Sequence, residues 1–105
     1  MVHIRDIFNE LGWKDANGYP VGTKIKILRD ENGAKTALLR LPRGFKMEAH
    51  TYICSEQHMV LDGEYESEGE VFPSGTYRLI PPHKNHGPFT SQTGAVILVI
   101  WDAVN

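Results

Sequence analysis

Apolar and polar residues follow one another in short runs through most of this chain, beginning near residue 23. The run TKIKILR (residues 23–29) alternates, and the apolar-rich run KTALLRL (residues 35–41) follows it after a short gap. A period of two is typical of a β-strand with one buried face. Asn32 and Gly33 lie in the gap, and this dipeptide is a strong hairpin signal. The pattern therefore predicts an antiparallel hairpin.

Turn-forming residues divide the rest of the sequence about every ten residues, which is typical of sandwiches and barrels. Pro42–Gly44 is one such break, and Asp62-Gly63 predicts a second hairpin turn. The closing run AVILVIWD is nearly all apolar, as expected of a central strand buried on both faces. Roughly eight or nine strands result. The fold class predicted is all-β, an antiparallel β-barrel or jelly roll.

The start of the chain carries the helical signal. Apolar residues at i, i+3, i+4 and i+7 precede Gly12, a helix stop: Ile4, Ile7, Phe8 and Leu11. We therefore predict a short N-terminal helix. The chain is expected to form a single domain over residues 1–105, with the helix and an arm in residues 1–22 and the barrel in residues 23–102.

Composition narrows the function. The net charge of −2 argues against a nucleic-acid partner, because neutralising phosphates needs an excess of basic residues. No apolar run approaches the roughly 18 residues of a membrane span, and the first residues lack the apolar core of a signal peptide. The single cysteine excludes an internal disulfide. A cytoplasmic protein without a membrane or nucleic-acid partner is expected.

Two groups of residues occur at the spacing of a known family. The first group is Gly44, five residues, His50-Thr51-Tyr52, three residues, Glu56, six residues and Gly63. The second is Gly75, five residues, Pro81-Pro82-His83, two residues, His86, three residues and Thr90. In this order and spacing the chain resembles the cupins, small jelly-roll barrels. It looks most similar to the zinc-binding anti-sigma cupins and the acetylacetone-cleaving dioxygenases.

The resemblance implies a metal site inside the barrel. Cupins bind one metal through two histidines and a glutamate of the first motif and a histidine of the second. Residue by residue, this implies His50, Glu56 and His86 as ligands, with Tyr52 replacing the fourth. Two imidazoles and a carboxylate suit iron, manganese, zinc or nickel. The sequence also allows an empty or purely polar pocket.

Two further residues are candidates for binding substrate or for catalysis. Alternation places His50 and Tyr52 on one strand face, and Glu56, His58 and Val60 together on another. Tyr52 is a phenolate ligand, a pocket wall that binds substrate, or a core aromatic. His58 replaces the missing metal ligand, acts as a general acid or base, or is a hydrogen-bonded core histidine.

Three functions are consistent with these residues. The first is a metal-dependent enzyme, of dioxygenase or isomerase type, that acts on a small organic molecule. The second is a non-catalytic cupin that binds zinc or a small ligand as a sensor. The third is metal-free acid–base chemistry by His58 and Tyr52. The resemblance also implies a homodimer.

Overall fold

The computed structural model describes residues 1–51 and 53–103, and within them it contains eleven β-strands and no helix. The strands are β1 (Lys14–Asp15), β2 (Lys24–Glu31), β3 (Ala34–Leu41), β4 (Phe45–Met47), β5 (His50–Thr51), β6 (Glu56–Ser67), β7 (Glu70–Pro73), β8 (Tyr77–Ile80), β9 (Asn85–His86), β10 (Phe89–Ser91) and β11 (Ala95–Trp101).

The strands form a curled antiparallel sheet, which confirms the predicted all-β class. Its order is β1-β2-β3-β11-β6-β10-β4, and β7 and β8 also pair with β6. The short strands β5 and β9 form a separate two-stranded ladder. Strand β6 therefore has four partners, with β11 and β8 along its first half and β10 and β7 along its second. This long strand connects the two parts of the sheet and contains three buried polar residues, Glu56, His58 and Ser67.

The first predicted hairpin is present and joins β2 to β3. Asn32 and Gly33 at its tip have φ angles of 53° and 81°. Both values lie in the left-handed region that a tight two-residue hairpin needs, and Asn and Gly tolerate it better than other residues. The local sequence thus fixes where this pair of strands turns.

The predicted hairpin turn at Asp62-Gly63 is wrong. Strand β6 continues through both residues as far as Ser67, and the chain reverses at Glu68 and Gly69, whose φ angles are 55° and 80°. Gly63 also has a positive φ, 70°, but it lies beside a bulge, where the pairing of β6 with β11 skips Leu61. A Gly with positive φ occurs at bulges as well as at turns, so the dipeptide alone did not distinguish them.

The apolar core lies between the inner faces of the sheet. Strand β11 runs between β3 and β6, as expected of a central strand. Its inward residues Ala95, Ile97 and Val99 are buried, whereas Val96 on the other face is only half-buried. The prediction of burial on both faces was thus too strong. Each fully buried aliphatic side chain contributes about 1.5–3 kcal/mol, so this inner row is a main source of stability.

The predicted N-terminal helix is absent; residues 5–12 form turns and bends instead. The side chains of Asp6 and Asn9 accept hydrogen bonds from the backbone N–H groups of Phe8 and Leu11, each at 3.0 Å. Such local bonds compete with helical ones. Leu11 is also 76% exposed, so the apolar face that should have stabilised a short helix packs against little.

The N-terminal segment is attached to the outside of the barrel through Lys26 of β2. The Lys26 ammonium is largely buried and donates to the Asn9 carbonyl at 3.2 Å and to Asn9 Oδ1 at 2.9 Å. Trp13 Nε1 donates to the same carbonyl at 3.0 Å, and the Arg40 guanidinium lies 4.4 Å from the Trp13 ring centroid. No helix in the described part of the chain is long and apolar enough to cross a membrane.

Candidate ligand site inside the barrel

A carboxylate and an imidazole lie side by side in the barrel interior. Glu56 and His58 are two residues apart on β6, and each is nearly inaccessible to solvent, with Glu56 only 1% exposed. His58 Nε2 is 2.6 Å from Glu56 Oε1, a short hydrogen bond between two buried ionisable groups. Val60 follows on the same face and is buried. The sequence-based prediction that these three residues share an inner face is confirmed.

Tyr65 joins this pair because of the bulge in β6. It lies seven positions after His58, an odd offset, so strict alternation would place the two side chains on opposite faces of the strand. Skipping Leu61 in the pairing with β11 restores them to the same face. The Tyr65 hydroxyl lies 2.7 Å from His58 Nδ1, and both ring nitrogens of His58 are therefore hydrogen bonded.

Arg78 of β8 extends this set of polar contacts. Its Nη1 donates to the Tyr65 hydroxyl at 3.1 Å, and its guanidinium carbon lies 4.0 Å from the Phe72 ring centroid. Strand β8 pairs with β6 so that Arg78 is directly opposite His58. Burial raises the pKa of the Tyr65 phenol, and the hydrogen bond from Arg78 partly offsets this effect. The phenol therefore stays protonated at neutral pH.

A narrow cavity adjoins Glu56 and His58. Its volume is about 30 Å³, which is enough for roughly two water molecules. One oxygen of Glu56, Oε2, is buried and has no hydrogen-bond partner among the described residues. The lining is mostly apolar: Tyr19, Leu39, Leu41, Phe45, Met47, Glu56, His58, Tyr65, Phe89, Ile97 and Val99.

Tyr19 contributes the remaining phenol of this cavity, and nothing in the sequence pattern pointed to it. It lies in the connection between β1 and β2, which backbone bonds from Tyr19 N–H to the Ala16 carbonyl and from Thr23 N–H to the Pro20 carbonyl hold in place. Burial, and to a smaller extent the charge of Glu56, raise the pKa of the Tyr19 phenol far above its usual value. Tyr19 also lines a second, larger pocket of about 210 Å³.

Two of the predicted metal ligands lie on paired strands and are not among the described residues that line the cavity. His50 of β5 and His86 of β9 are direct cross-strand partners. The His50 ring packs against Phe89 with 5.8 Å between centroids. Neither histidine is among the described residues that line the cavity beside Glu56. The structure thus brings His50 to His86, and Glu56 to His58, as two separate pairs.

The described side chains do not fit a metal ion in this arrangement. His86 Nε2 donates to the Pro81 carbonyl at 3.3 Å, and His86 Nδ1 lies 3.5 Å from Glu68 Oε1. Within residues 1–51 and 53–103, no three His, Cys, Asp or Glu side chains are grouped so that they could hold a metal. Tyr52, predicted as a catalytic or substrate-binding residue, lies outside the described residues. The ligand set of His50, Glu56 and His86 stays a prediction.

The curled antiparallel sheet agrees with the sequence-family match, which identifies the protein as a cupin. The chain belongs to the family described as the ChrR cupin-like domain, whose sequence model matches residues 3–105. The resemblance seen in the two motifs is thereby confirmed. No curated protein is significantly similar to the sequence.

Solved structures support the same fold. The complex of Rhodobacter sphaeroides SigE with the anti-sigma ChrR matches with a TM-score of 0.75 and 23% identity, over 90% of this chain and 51% of that chain. This chain thus spans about half the length of that one. An acetylacetone dioxygenase from Acinetobacter johnsonii matches with a TM-score of 0.79 and 13% identity, over 96% and 74%. An RmlC-like cupin from Shewanella frigidimarina matches with a TM-score of 0.72 and 22% identity, over 85% and 80%. At these identities the likeness concerns the fold alone.

Proposed function

We propose that this chain is a small-ligand-binding cupin whose ligand is held at Oε2 of Glu56. The observation that carries the proposal is that this carboxylate oxygen is buried without a partner among the described residues, while Oε1 bonds His58. Leaving a buried acceptor unsatisfied costs about 1–3 kcal/mol, and more for a charged group. A ligand that presents an N–H or O–H donor to Oε2 would recover this free energy.

The cavity lining restricts the ligand further. Apart from Glu56, His58 and two tyrosines, the side chains around the cavity are aliphatic, aromatic or thioether groups. The ligand would therefore have one donor group on an apolar body. Because the volume is about 30 Å³, a ligand of more than a few heavy atoms requires a side chain to move. Met47 is the lining residue best suited to this, since methionine has three rotatable bonds.

Methyl NMR with phenol, imidazole and acetylacetone as probes tests this proposal. Binding is expected to shift the Ile97 and Val99 methyl signals, which belong to the cavity lining. Glu56→Gln is expected to weaken binding roughly ten- to hundredfold, because a hydrogen bond to a charged group contributes about 1.5–3 kcal/mol. Glu66→Gln, the same change at an exposed position of β6, is the matched control. If no probe shifts these methyl signals, or if Glu56→Gln binds as tightly as the parent, the proposal is wrong.

A second candidate is a metal-binding cupin, either a metal-dependent dioxygenase or isomerase or a zinc sensor. The cross-strand pairing of His50 with His86 favours it, because it places two imidazoles on adjacent strands. The cavity lining opposes it, since Glu56 is among the described residues that line the cavity and neither His50 nor His86 is. Elemental analysis of protein purified without chelator or histidine tag tests this candidate. Near one iron, manganese, zinc or nickel per chain, lost in His50→Ala, would support it, whereas no metal after reconstitution would exclude it.

The predicted homodimer and the predicted cytoplasmic location are likewise proposals. The similarity to the anti-sigma ChrR in complex with SigE supports a protein partner as a further proposal for this chain. Light scattering coupled to size-exclusion chromatography would measure the mass of the chain in solution. A single-chain mass at all concentrations would contradict the homodimer.

A further inference from the structure

The hydrogen bonds Arg78–Tyr65–His58–Glu56 form a continuous chain that reaches the ligand cavity. We propose that Tyr65 and Arg78 are positioning residues that fix the proton of His58 on Nε2, so that His58 donates to Glu56 Oε1 and Oε2 faces the ligand as an acceptor. The inference rests on the proposed function and deepens it, because it determines that the ligand must supply the donor of the hydrogen bond to Glu56.

The donor and acceptor roles in this series of hydrogen bonds are set first by Arg78. A guanidinium carries donors only, so the Tyr65 oxygen must accept the bond from Nη1. The guanidinium also packs on the Phe72 ring at 4.0 Å, a contact that holds its plane in place. One lone pair of the Tyr65 oxygen therefore accepts the hydrogen bond from Arg78.

The Tyr65 phenol in turn determines which ring nitrogen of His58 is protonated. Its burial keeps the hydroxyl protonated, and the proton has His58 Nδ1 as an acceptor 2.7 Å away. If His58 Nδ1 carried a proton instead, two N–H groups would point at the Tyr65 oxygen, one of them from a cation. The phenol proton would then have no acceptor among the described residues. The favoured arrangement is therefore Tyr65 O–H donating to Nδ1.

The tautomer of His58 then determines that Glu56 accepts the hydrogen bond between them. A neutral imidazole with Nδ1 as acceptor carries its proton on Nε2. Nε2–H then donates to Glu56 Oε1 at 2.6 Å. Oε2 is left as an acceptor beside the cavity. The chain thus selects ligands that donate, such as alcohols, enols and amines, over ligands that only accept, such as ethers and ketones without an enol form.

Nitrogen-15 NMR of histidine-labelled protein without ligand tests the inference directly. Two-bond correlations report which ring nitrogen is protonated, and His58→Gln assigns the signals. We expect Nε2 to be protonated and Nδ1 unprotonated in the parent. Tyr65→Phe, which removes the donor to Nδ1, should give a mixture of the two tautomers. Tyr77→Phe is the control: its hydroxyl donates to Gln57 Oε1 at 2.6 Å on the exposed side of the same strand pair.

Three outcomes would overturn the inference: a protonated Nδ1 in the parent, an unchanged pattern in Tyr65→Phe, or an equal change in Tyr77→Phe. The parent measurement needs no variant, so it decides even if Tyr65→Phe fails to fold. Arg78→Met supplies a second variant, which should populate both tautomers by freeing the phenol oxygen. The tautomer is read without ligand, so the failure of this inference is distinguishable from failure of the probe-binding experiment.

Discussion

Adding one methyl group at Gly63 tests whether the bulge in β6 determines the site. A Cβ at this position would lie 2.2 Å from the Gly94 carbonyl oxygen and 3.0 Å from the Ala95 Cα. A carbon–oxygen contact is comfortable at about 3.3 Å or more, so β6 and β11 would have to separate by roughly 1 Å. Overpacking of this kind costs about 1–3 kcal/mol, and the left-handed φ of 70° costs alanine about 1–2 kcal/mol more.

Gly69→Ala separates these two costs. Gly69 has a φ of 80°, close to that of Gly63, but a Cβ there has no atom within 4 Å. This control therefore carries the backbone cost without the clash. Both variants would be melted with circular dichroism as the probe, and Gly63→Ala is expected to lose an additional 5–20 °C or so in Tm. Equal losses in the two variants would refute the argument that the Gly63–Gly94 contact holds the bulge. A further consequence is that Gly63→Ala should disturb the His58 nitrogen signals, because the bulge is what brings Tyr65 to His58.

Three more predictions concern stability. Burial raises the pKa of the Tyr19 phenol in the folded state above its unfolded value of about 10. The stability that the protonated phenol contributes is therefore present below pH ~10 and lost as the pH rises. The urea midpoint should fall above pH 10, and it should fall less steeply in Tyr19→Phe. Lys26→Met removes both bonds to Asn9 and should speed limited proteolysis within the first 13 residues, with no loss of probe binding; unchanged cleavage would contradict the anchoring. Replacing Glu56 and His58 together by leucine should leave stability unchanged or raise it by about 1–4 kcal/mol while probe binding disappears, and a large loss would contradict a functional reason for the pair.

Much of the fold was predictable from the sequence because it depends on local rules. Alternation located the strands, and Asn32-Gly33 located a hairpin, since positive φ at both positions suits few other residue pairs. Alternation also placed Glu56 and His58 on one inner face. These inferences need only the geometry of a single strand or turn.

The rest of the site depends on contacts between distant segments. Tyr65 was missed because a bulge reverses the alternation, and Gly63 was interpreted as a turn. Arg78 was missed because its pairing opposite His58 depends on strand register between β6 and β8. Tyr19 lies in a loop without periodicity.

The buried polar chain has an energetic consequence that bears on its role. A charged carboxylate and an imidazole within a domain of 105 residues must overcome the cost of leaving water, which amounts to several kcal/mol per ion. The hydrogen bonds between His58 and Glu56 Oε1, between Tyr65 and His58, and between Arg78 and Tyr65 offset part of this cost. Oε2 of Glu56 takes part in none of them. Apolar residues of similar size would fill the same space without this deficit, as they do over the rest of the inner face. Among the described residues the Thr23 and Ser67 hydroxyl oxygens are also buried without a partner, but Oε2 of Glu56 is the carboxylate oxygen in this position. It is therefore the point at which stability alone does not explain the sequence, and a donor brought in by a ligand does.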